Sequence, residues 1–370
     1  MTDADILSLT ARVLWAAFAL GTLFGAIAQR THFCTMGALA DIVHVGDWSR
    51  LRMWALAAGV AVLGFNAMVA LGWVKAADTL YAAPSLAWAS HTVGGLMFGI
   101  GMVLASGCGS KSLVRAGGGN LKSLVVLLVL GIAAFATLKG VTAVWRLATL
   151  DAVKLDLPVA QDLPSLTAGL GGSLAQRATW LGAIIGGGLV VWGLRQPEAR
   201  QPQALLGGIG IGVLVLALWW VSARLGHVAE HPQTLAEAYL ATNSQRMESF
   251  SFVAPIAYLL DWLMFYSDQS QHLSQGVVAA LGVVVGSAVV ALAQRTFRWE
   301  GFGGVADTAR HLGGAVLMGV GGVTALGCTI GQGLTGLSTL SLGSFISLAG
   351  IITGAVLALR WQAWALERQG

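Results

Sequence analysis

Hydrophobic and polar positions along this chain alternate on the length scale of a membrane crossing. Apolar runs fall near residues 6–29, 53–74, 91–107, 123–145, 179–194, 204–223, 274–294, 311–327 and 342–360, with polar joints between them. Each run is about 16–24 residues long, enough at ~1.5 Å per residue to cross all or most of the hydrocarbon layer. The pattern predicts an all-α polytopic membrane protein with about nine transmembrane helices. Two longer polar stretches, 148–176 and 224–249, read as surface loops. Segment Phe250–Tyr266 fits neither class. It mixes Phe250, Phe252, Tyr258, Trp262, Phe265 and Tyr266 with Pro255 and Asp261, which suits an interfacial or re-entrant piece.

Three more stretches, Cys34–Gly46, Cys108–Asn120 and Cys328–Gly343, are too short and too rich in glycine to cross, and each begins at a cysteine. Irregular backbone at membrane depth survives only where protein buries it or a cavity lies beside it, so these stretches predict short re-entrant helices or loops. The run His91 to Cys108 aligns without gaps with His311 to Cys328, and eight of eighteen positions are identical, including the His and the final Gly-Cys. Ala28-Gln29-Arg30-Thr31 also recurs as Ala293-Gln294-Arg295-Thr296. Self-similarity of this kind predicts an internal repeat, with units of approximately 28–120 and 293–343 inside a single transport domain spanning 1–370.

Composition removes the soluble alternatives. Charged residues make up 10% of the chain against about 25% in soluble proteins, while 56% are hydrophobic and the mean hydropathy is +0.75. Glycine fills 50 of 370 positions without a Gly-X-Y period, which excludes collagen. Asp3 and Asp5 stand where a cleaved signal peptide would be positive, so the first apolar run is expected to remain in the membrane.

The formal charge of +4 comes from Lys and Arg in short loops, a topology signal and not a nucleic-acid surface. Arg30, Arg50, Arg52, Lys111, Arg115, Lys122, Arg195, Arg200, Arg295, Arg298 and Arg310 fall in one class of loop, and Asp151, Asp156 and Asp162 in the other. The positive-inside rule then puts the N-terminus outside and the C-terminus inside, provided Phe250–Tyr266 does not cross. Under that assignment the repeat is inverted, an arrangement many transporters share.

The cysteines number three, lie 74 and 220 residues apart, and include no CxxC pair, so three isolated thiols are expected. A lone cysteine in an apolar helix is ordinarily a small buried hydrophobe. Three that each open a non-spanning, Gly-rich stretch ask for another explanation. Gly107, Gly109 and Gly327 let backbone approach closely, and the residues after each Cys, Thr329 and Gln332 among them, start a short helix whose N–H groups favour an anion. His91 and His311 read as helix-end hydrogen-bonders, Lys139 as a snorkelling side chain, and Asp261 as an intramembrane or interfacial acid. His32 and His44 are not read as a metal site. Gly207, Gly210 and Gly212 imitate a nucleotide loop, but they sit inside an apolar span with no strand before it, so close packing explains them.

Gln29-Arg30, Phe33-Cys34, the Gly107-Cys108 loop with Val114-Arg115, and Gly327-Cys328 followed by Gly331, Gln332 and Gly333 together resemble the YeeE/YedE family of sulfur-transport membrane proteins. The likeness covers nearly the whole chain. It implies an all-helical transporter of the bacterial inner membrane that takes up thiosulfate, with no enzymatic activity and no cofactor. By matching motif it places a role in uptake on Cys34, Cys108 and Cys328, and it implies a cytoplasmic sulfur-carrier protein of the TusA type as a partner. Thr31-His32 and Lys111 depart from the family pattern and bear on preference among sulfur or selenium species.

A soft sulfur terminus suits a thiol donor, while backbone N–H groups suit oxygens. Arg30, Lys111 and Arg115 are expected at the cytoplasmic mouth, because an unpaired charge at the bilayer centre costs about 2.5 kcal/mol or more. The rival classes are a membrane thiol-disulfide oxidoreductase, disfavoured because no second cysteine stands beside any of the three, and a membrane scaffold that docks a sulfurtransferase.

Overall fold

A computed structural model describes residues 3–268 and 271–368. In chain order its helices are α1 (Asp3–Thr31), α2 (Thr35–Val45), α3 (Ser49–Ala70), α4 (Trp88–Leu104), α5 (Gly109–Gly117), α6 (Leu121–Lys139), α7 (Val141–Ala148), α8 (Leu163–Leu166), α9 (Leu174–Gly193), α10 (Pro202–Leu205), α11 (Ile211–Trp220), α12 (Ala254–Met264), α13 (Gln275–Ala293), α14 (Val305–Thr324) and α15 (Leu342–Glu367). α10 and α11 are joined and extended by π-helical turns into one 24-residue rod, Pro202–Leu225. Two strand pairs tie loops together: β1 (Ser85–Leu86) lies antiparallel to β2 (Leu155–Asp156) with Ser85 opposite Asp156, and β3 (His227–Val228) to β4 (Ala238–Tyr239) with His227 opposite Tyr239.

Local chemistry sets the helix ends. Asn120 accepts the Ser123 N–H and starts α6, a Ser173–Gln176 capping box starts α9, and Gly46 in the left-handed region closes α2. The apolar run expected over 123–145 is broken at Gly140, where α6 gives way to α7.

Among the described residues, eight runs are long and apolar enough to cross a membrane. The ninth expected span, 311–327, is the 20-residue α14. It falls short in apolarity because Asp307, Arg310, His311 and a set of glycines dilute its hydrocarbon. Neighbouring helices shelter it instead.

Glycine contacts fix the helix directions. A Cβ at Gly21 or Gly25 of α1 would meet the backbone of Ala279 or Val283, so α1 and α13 run parallel. Gly94 sits on Gly321 and Gly101 on Gly314, so α4 and α14 run antiparallel. Gly95 and Gly99 lie along Ser347 and Ile351, so α4 and α15 are parallel. Asn66 meets Gly182 and Gly59 meets Gly186, so α3 and α9 are antiparallel, whereas Leu56 with Gly208 and Ala57 with Gly212 make α3 parallel to the α10–α11 rod. These relations are mutually consistent when α1, α3, α4, α6, α9, the rod, α13, α14 and α15 cross in alternating directions. Had α12 also crossed, α1 and α13 would be antiparallel. With 11 residues it reaches only about 16 Å.

The α4–α14 contact has a further property. Residues 94 and 314 are equivalent in the sequence alignment, as are 101 and 321, and Gly94 touches Gly321 just as Gly101 touches Gly314. A local two-fold axis therefore passes between the two helices. Neighbouring contacts follow it: α4 packs on α15 as α14 packs on α6, α1 on α13 as α11 on α3, and α2 on α3 and α15 as α12 on α13 and α6. Small residues at these crossings let backbones approach in a setting where packing, and not water exclusion, holds helices together.

Candidate functional site

All three cysteines are reached by one kind of turn. Each long helix closes with an N–H reaching five residues back: Phe33 to the Ala28 carbonyl at 3.2 Å, Gly107 to Met102 at 2.8 Å, Gly327 to Gly322 at 2.7 Å. Two residues before each Cys the backbone is left-handed, at His32 (φ 54°), Ser106 (φ 56°) and Leu326 (φ 59°). None of these is the glycine that such a position favours, which leaves no sequence signature. The chain then straightens at Cys34 and Cys108, which cap α2 and α5, and at Cys328, which precedes a π-helical turn over Gly331–Gly336.

The thiols are unpaired and buried, with exposures of 8%, 1% and 0% for Cys34, Cys108 and Cys328. Each sulfur meets the start of its own short helix. The Gly37 N–H lies 3.3 Å from Cys34 Sγ, the Gly331 N–H 3.4 Å from Cys328 Sγ, and Ser110 Oγ 3.2 Å from Cys108 Sγ. Cys108 lies near both Cys34 and Cys328. Between Cys108 and Cys328 runs the segment Phe250–Val253: the Phe252 carbonyl would touch a Cβ at Gly109, and the Phe252 amide faces the Cys328 sulfur. Phe24, Phe250 and Phe252 stack into a buried cluster behind it.

Two hydroxyls beside the thiols are orphaned. Thr35 Oγ1 and Thr329 Oγ1, each next in sequence to a cysteine, are buried with no hydrogen-bond partner among the described residues. Buried polar groups are ordinarily satisfied, so these two hydroxyls are free to donate to a polar group placed beside them. Gln332, by contrast, is consumed by the fold: its Nε2 donates to the Ala325 carbonyl at 2.5 Å and its Oε1 accepts from Ser344 at 2.7 Å.

Two cavities lie toward opposite ends of α14. One, of about 190 Å³, is lined by Tyr81, Arg146, Glu248, Ser251, Tyr258 and Gly327. The other, of about 150 Å³, is lined by Ser106, Arg115, Asn120, Lys122, Asp307 and His311. Gly322 of α14 borders the first and His311 the second. Eleven helical residues separate them (322 − 311), about 16 Å along the axis. Each cavity ends on the turn that leads into a repeat cysteine, Gly327 before Cys328 or Ser106 before Cys108.

The model of the family described as Sulphur transport matches residues 30–357. The chain belongs to that family. It is 27% identical over 339 residues to the thiosulfate transporter TsuA of Escherichia coli (strain K12), covering 90% of each protein. It is 25% identical over 368 residues to the thiosulfate transporter TsuA of Spirochaeta thermophila, covering 96% of this chain and 100% of that one. A shorter stretch of 105 residues, 28% of this chain and 24% of the relative, is 30% identical to the probable transporter YedE of Salmonella typhimurium. As a member of the sulphur-transport family it is a multi-pass membrane transporter and not an enzyme.

Within this sulphur-transport protein the expected mouth residues separate. Arg115 is exposed, lines the second cavity and donates to the Ser106 carbonyl at 2.9 Å. Arg30 is exposed at the end of α1, where its carbonyl accepts from Gln203. Lys111 is partly buried: its stem covers Gly107, and its ammonium is within charge range of Cys34 and Cys108 as well as of Arg115 and Arg50. Two thiols near one cation is an arrangement that spacing along the sequence could not disclose.

Lys139 does not simply snorkel. It pairs with Asp261 of α12 at 2.7 Å, with Asp261 buried and the lysine half exposed. His91 is bonded to Ser347 Oγ at 2.7 Å and His311 to the Asp307 carbonyl at 2.8 Å. Among the described residues no cluster of three His, Cys, Asp or Glu side chains assembles.

Sequence reasoning missed Thr35, Tyr81, Arg146 and Glu248, and it singled out Phe250–Tyr266 as an interfacial or re-entrant piece without placing Phe250–Val253 beside the thiols. The aromatic density of 250–266 was the available signal for that segment. The cavity wall draws on six separated stretches of chain, around residues 80, 138, 146, 243–258, 274–276 and 322–327, and had none. Tyr81 is buried where it lines the first cavity, and burial pushes its phenol pKa up, so it stays neutral.

Proposed function

We propose that this protein carries thiosulfate, or a small sulfur anion of the same kind, across the bacterial inner membrane along a path lined by Cys34, Cys108 and Cys328. The observation that carries this reading is the pair of cavities toward opposite ends of α14, each ending at the turn into a cysteine. Unpaired Thr35 and Thr329 hydroxyls beside two of the thiols give an oxyanion the donors it needs. In this reading the soft sulfur end meets thiols, which donate weakly, and the oxygens meet hydroxyls and the N–H groups at the starts of α2 and α5. Gly107, Gly109 and Gly327 leave room for the backbone to curve around the path.

Lys111 supplies compensating charge near Cys34 and Cys108, while Arg115 and Arg30 draw the anion at the face rich in basic loops. Several weak contacts in series let an anion enter without being trapped. The whole chain acts as one transport domain, with two units of opposite orientation that run beyond the limits 28–120 and 293–343 to include the flanking helices. A TusA-type sulfur carrier receives the product at the basic face. Uptake of radiolabelled thiosulfate into proteoliposomes that contain this protein alone tests the reading. Saturable uptake above empty vesicles is expected, and uptake no faster than the lipid leak would overturn it.

A further inference from the structure

The cavity that ends at Gly327 has a carboxyl group in its wall, which is unexpected on the way to an anion site. Glu248 is held firmly there. Its N–H donates to Ser222 Oγ at 3.1 Å, its carbonyl accepts from Gln275 Nε2 at 3.0 Å, and one carboxyl oxygen accepts the Ser244 N–H at 3.0 Å. With the backbone fixed on both sides, the side chain stays in the wall it lines.

The groups that face it come from every neighbouring element. Tyr81 comes from the loop after α3, Tyr258 from α12 and Arg146 from α7, while α6, α13 and α14 contribute only uncharged residues: Leu138, Ser274 and Gly276, and Gly322 to Gly327. Arg146 is engaged by Asp151 at 3.1 Å, and Arg246, two residues before Glu248, turns to the Thr79 carbonyl at 3.5 Å. Among the described residues neither cation makes an ion pair with Glu248. The charge on Glu248 reaches both Tyr81 and Tyr258, and Tyr81 is also within range of Cys328. Carboxyl, phenol and thiol thus follow one another toward the interior. Burial pushes the Glu248 carboxyl above the usual carboxylate range, and nothing basic brings it back.

Two anions confined in about 190 Å³ repel, whereas a neutral carboxylic acid becomes a hydrogen-bond donor to the same guest. We propose that Glu248 is the proton-coupling residue of this cavity: an anion occupies it only with Glu248 protonated, so one proton is taken from the adjoining water with each anion bound. The balance is simple, since a solvent proton adds to the carboxylate and no other bond changes. The inference rests on the transport reading and gives it a second substrate, the proton.

Calorimetric binding of thiosulfate to the purified full-length protein, at pH 6.5 and 7.5 in two buffers of different ionisation enthalpy, tests it. Wild type should take up close to one proton per anion, and its affinity should fall by up to about tenfold per pH unit above the Glu248 titration. Glu248→Gln, which keeps an acceptor for the Ser244 N–H, should bind with an affinity indifferent to pH and no proton uptake. Glu248→Asp should restore the linkage. Thiosulfate binding to wild type without proton uptake would overturn the proposal, as would a Glu248→Gln protein with wild-type linkage. The wild-type measurement decides alone should the variant fail to fold. No thiosulfate binding at all would overturn the substrate reading itself, and the proposal with it.

Discussion

Replacing Thr329 by valine should make this protein more stable and worse at binding its substrate. Thr329 is 0% exposed and its Oγ1 has no hydrogen-bond partner among the described residues. A buried hydroxyl left unpaired costs about 1–3 kcal/mol, and valine has nearly the same shape without it. The empty protein should therefore gain about 1 kcal/mol or more. For a chain this long that is a rise in melting temperature of about 1–2 °C. In the loaded protein the sign reverses. A hydrogen bond to a charged group contributes about 1.5–3 kcal/mol, so its loss should weaken thiosulfate binding about 10- to 150-fold. Thermal unfolding in detergent, with and without thiosulfate, reads both quantities from one sample: the variant should melt higher when empty and gain less from ligand. An empty variant that melts lower, with wild-type stabilisation by thiosulfate, would show that Thr329 serves the fold and not an oxyanion.

Other expectations follow from the same geometry. Cys34→Ser, Cys108→Ser and Cys328→Ser should each lose most thiosulfate uptake at unchanged size-exclusion profile, because a hydroxyl is a hard partner for a soft sulfur; wild-type rates in all three would reduce the thiols to packing. Gly101→Ala places a Cβ 2.7 Å from the Gly314 carbonyl, about 0.7 Å inside ordinary contact (3.4 − 2.7), so it should cost about 1–3 kcal/mol in a melting assay, while Gly107→Ala meets only the flexible Lys111 stem at 3.2 Å and should cost little. Lys139→Met strands the buried Asp261 carboxylate and should destabilise more than Asp261→Asn, which leaves a half-exposed lysine free to reach the interface and should cost about 1 kcal/mol or less; equal losses in thermal melts would contradict this.

Much of the architecture was legible because a bilayer demands it: hydrocarbon length sets the spans, and re-entrant backbone must be short, small and buried. The three cysteine stretches appear as α2, α5 and the turn after Cys328, close to the expected boundaries. What escaped was whatever depends on where elements end up in space. The left-handed turn before each cysteine falls on His32, Ser106 and Leu326, residues that carry no turn signature. The loop-charge rule counts positions along the chain and could not show that the Lys111 stem folds back over Gly107 toward Cys34 and Cys108. The Lys139–Asp261 pair joins residues 122 positions apart, and the cavity around Glu248 draws on stretches from Leu80 to Gly327. Helix α14 shows the opposite failure: a stretch too polar to qualify on its own is stable because α4 and α6 wrap it.

The contact of α1 with α13 sets the order in which the molecule can be completed. Gly21 and Ala279 touch across 258 residues (279 − 21), and α11 in turn reaches back to Gly64 of α3. Helix α1 meets its partner only that many residues later in the chain, and the two halves are interlocked like clasped hands. Until translation delivers the second half, α1 and α3 stand in the lipid with small-residue faces uncovered, waiting for neighbours that do not yet exist. A chain interrupted in the loop 148–176 would carry α1 and α3 without α9, α11 or α13 to cover them.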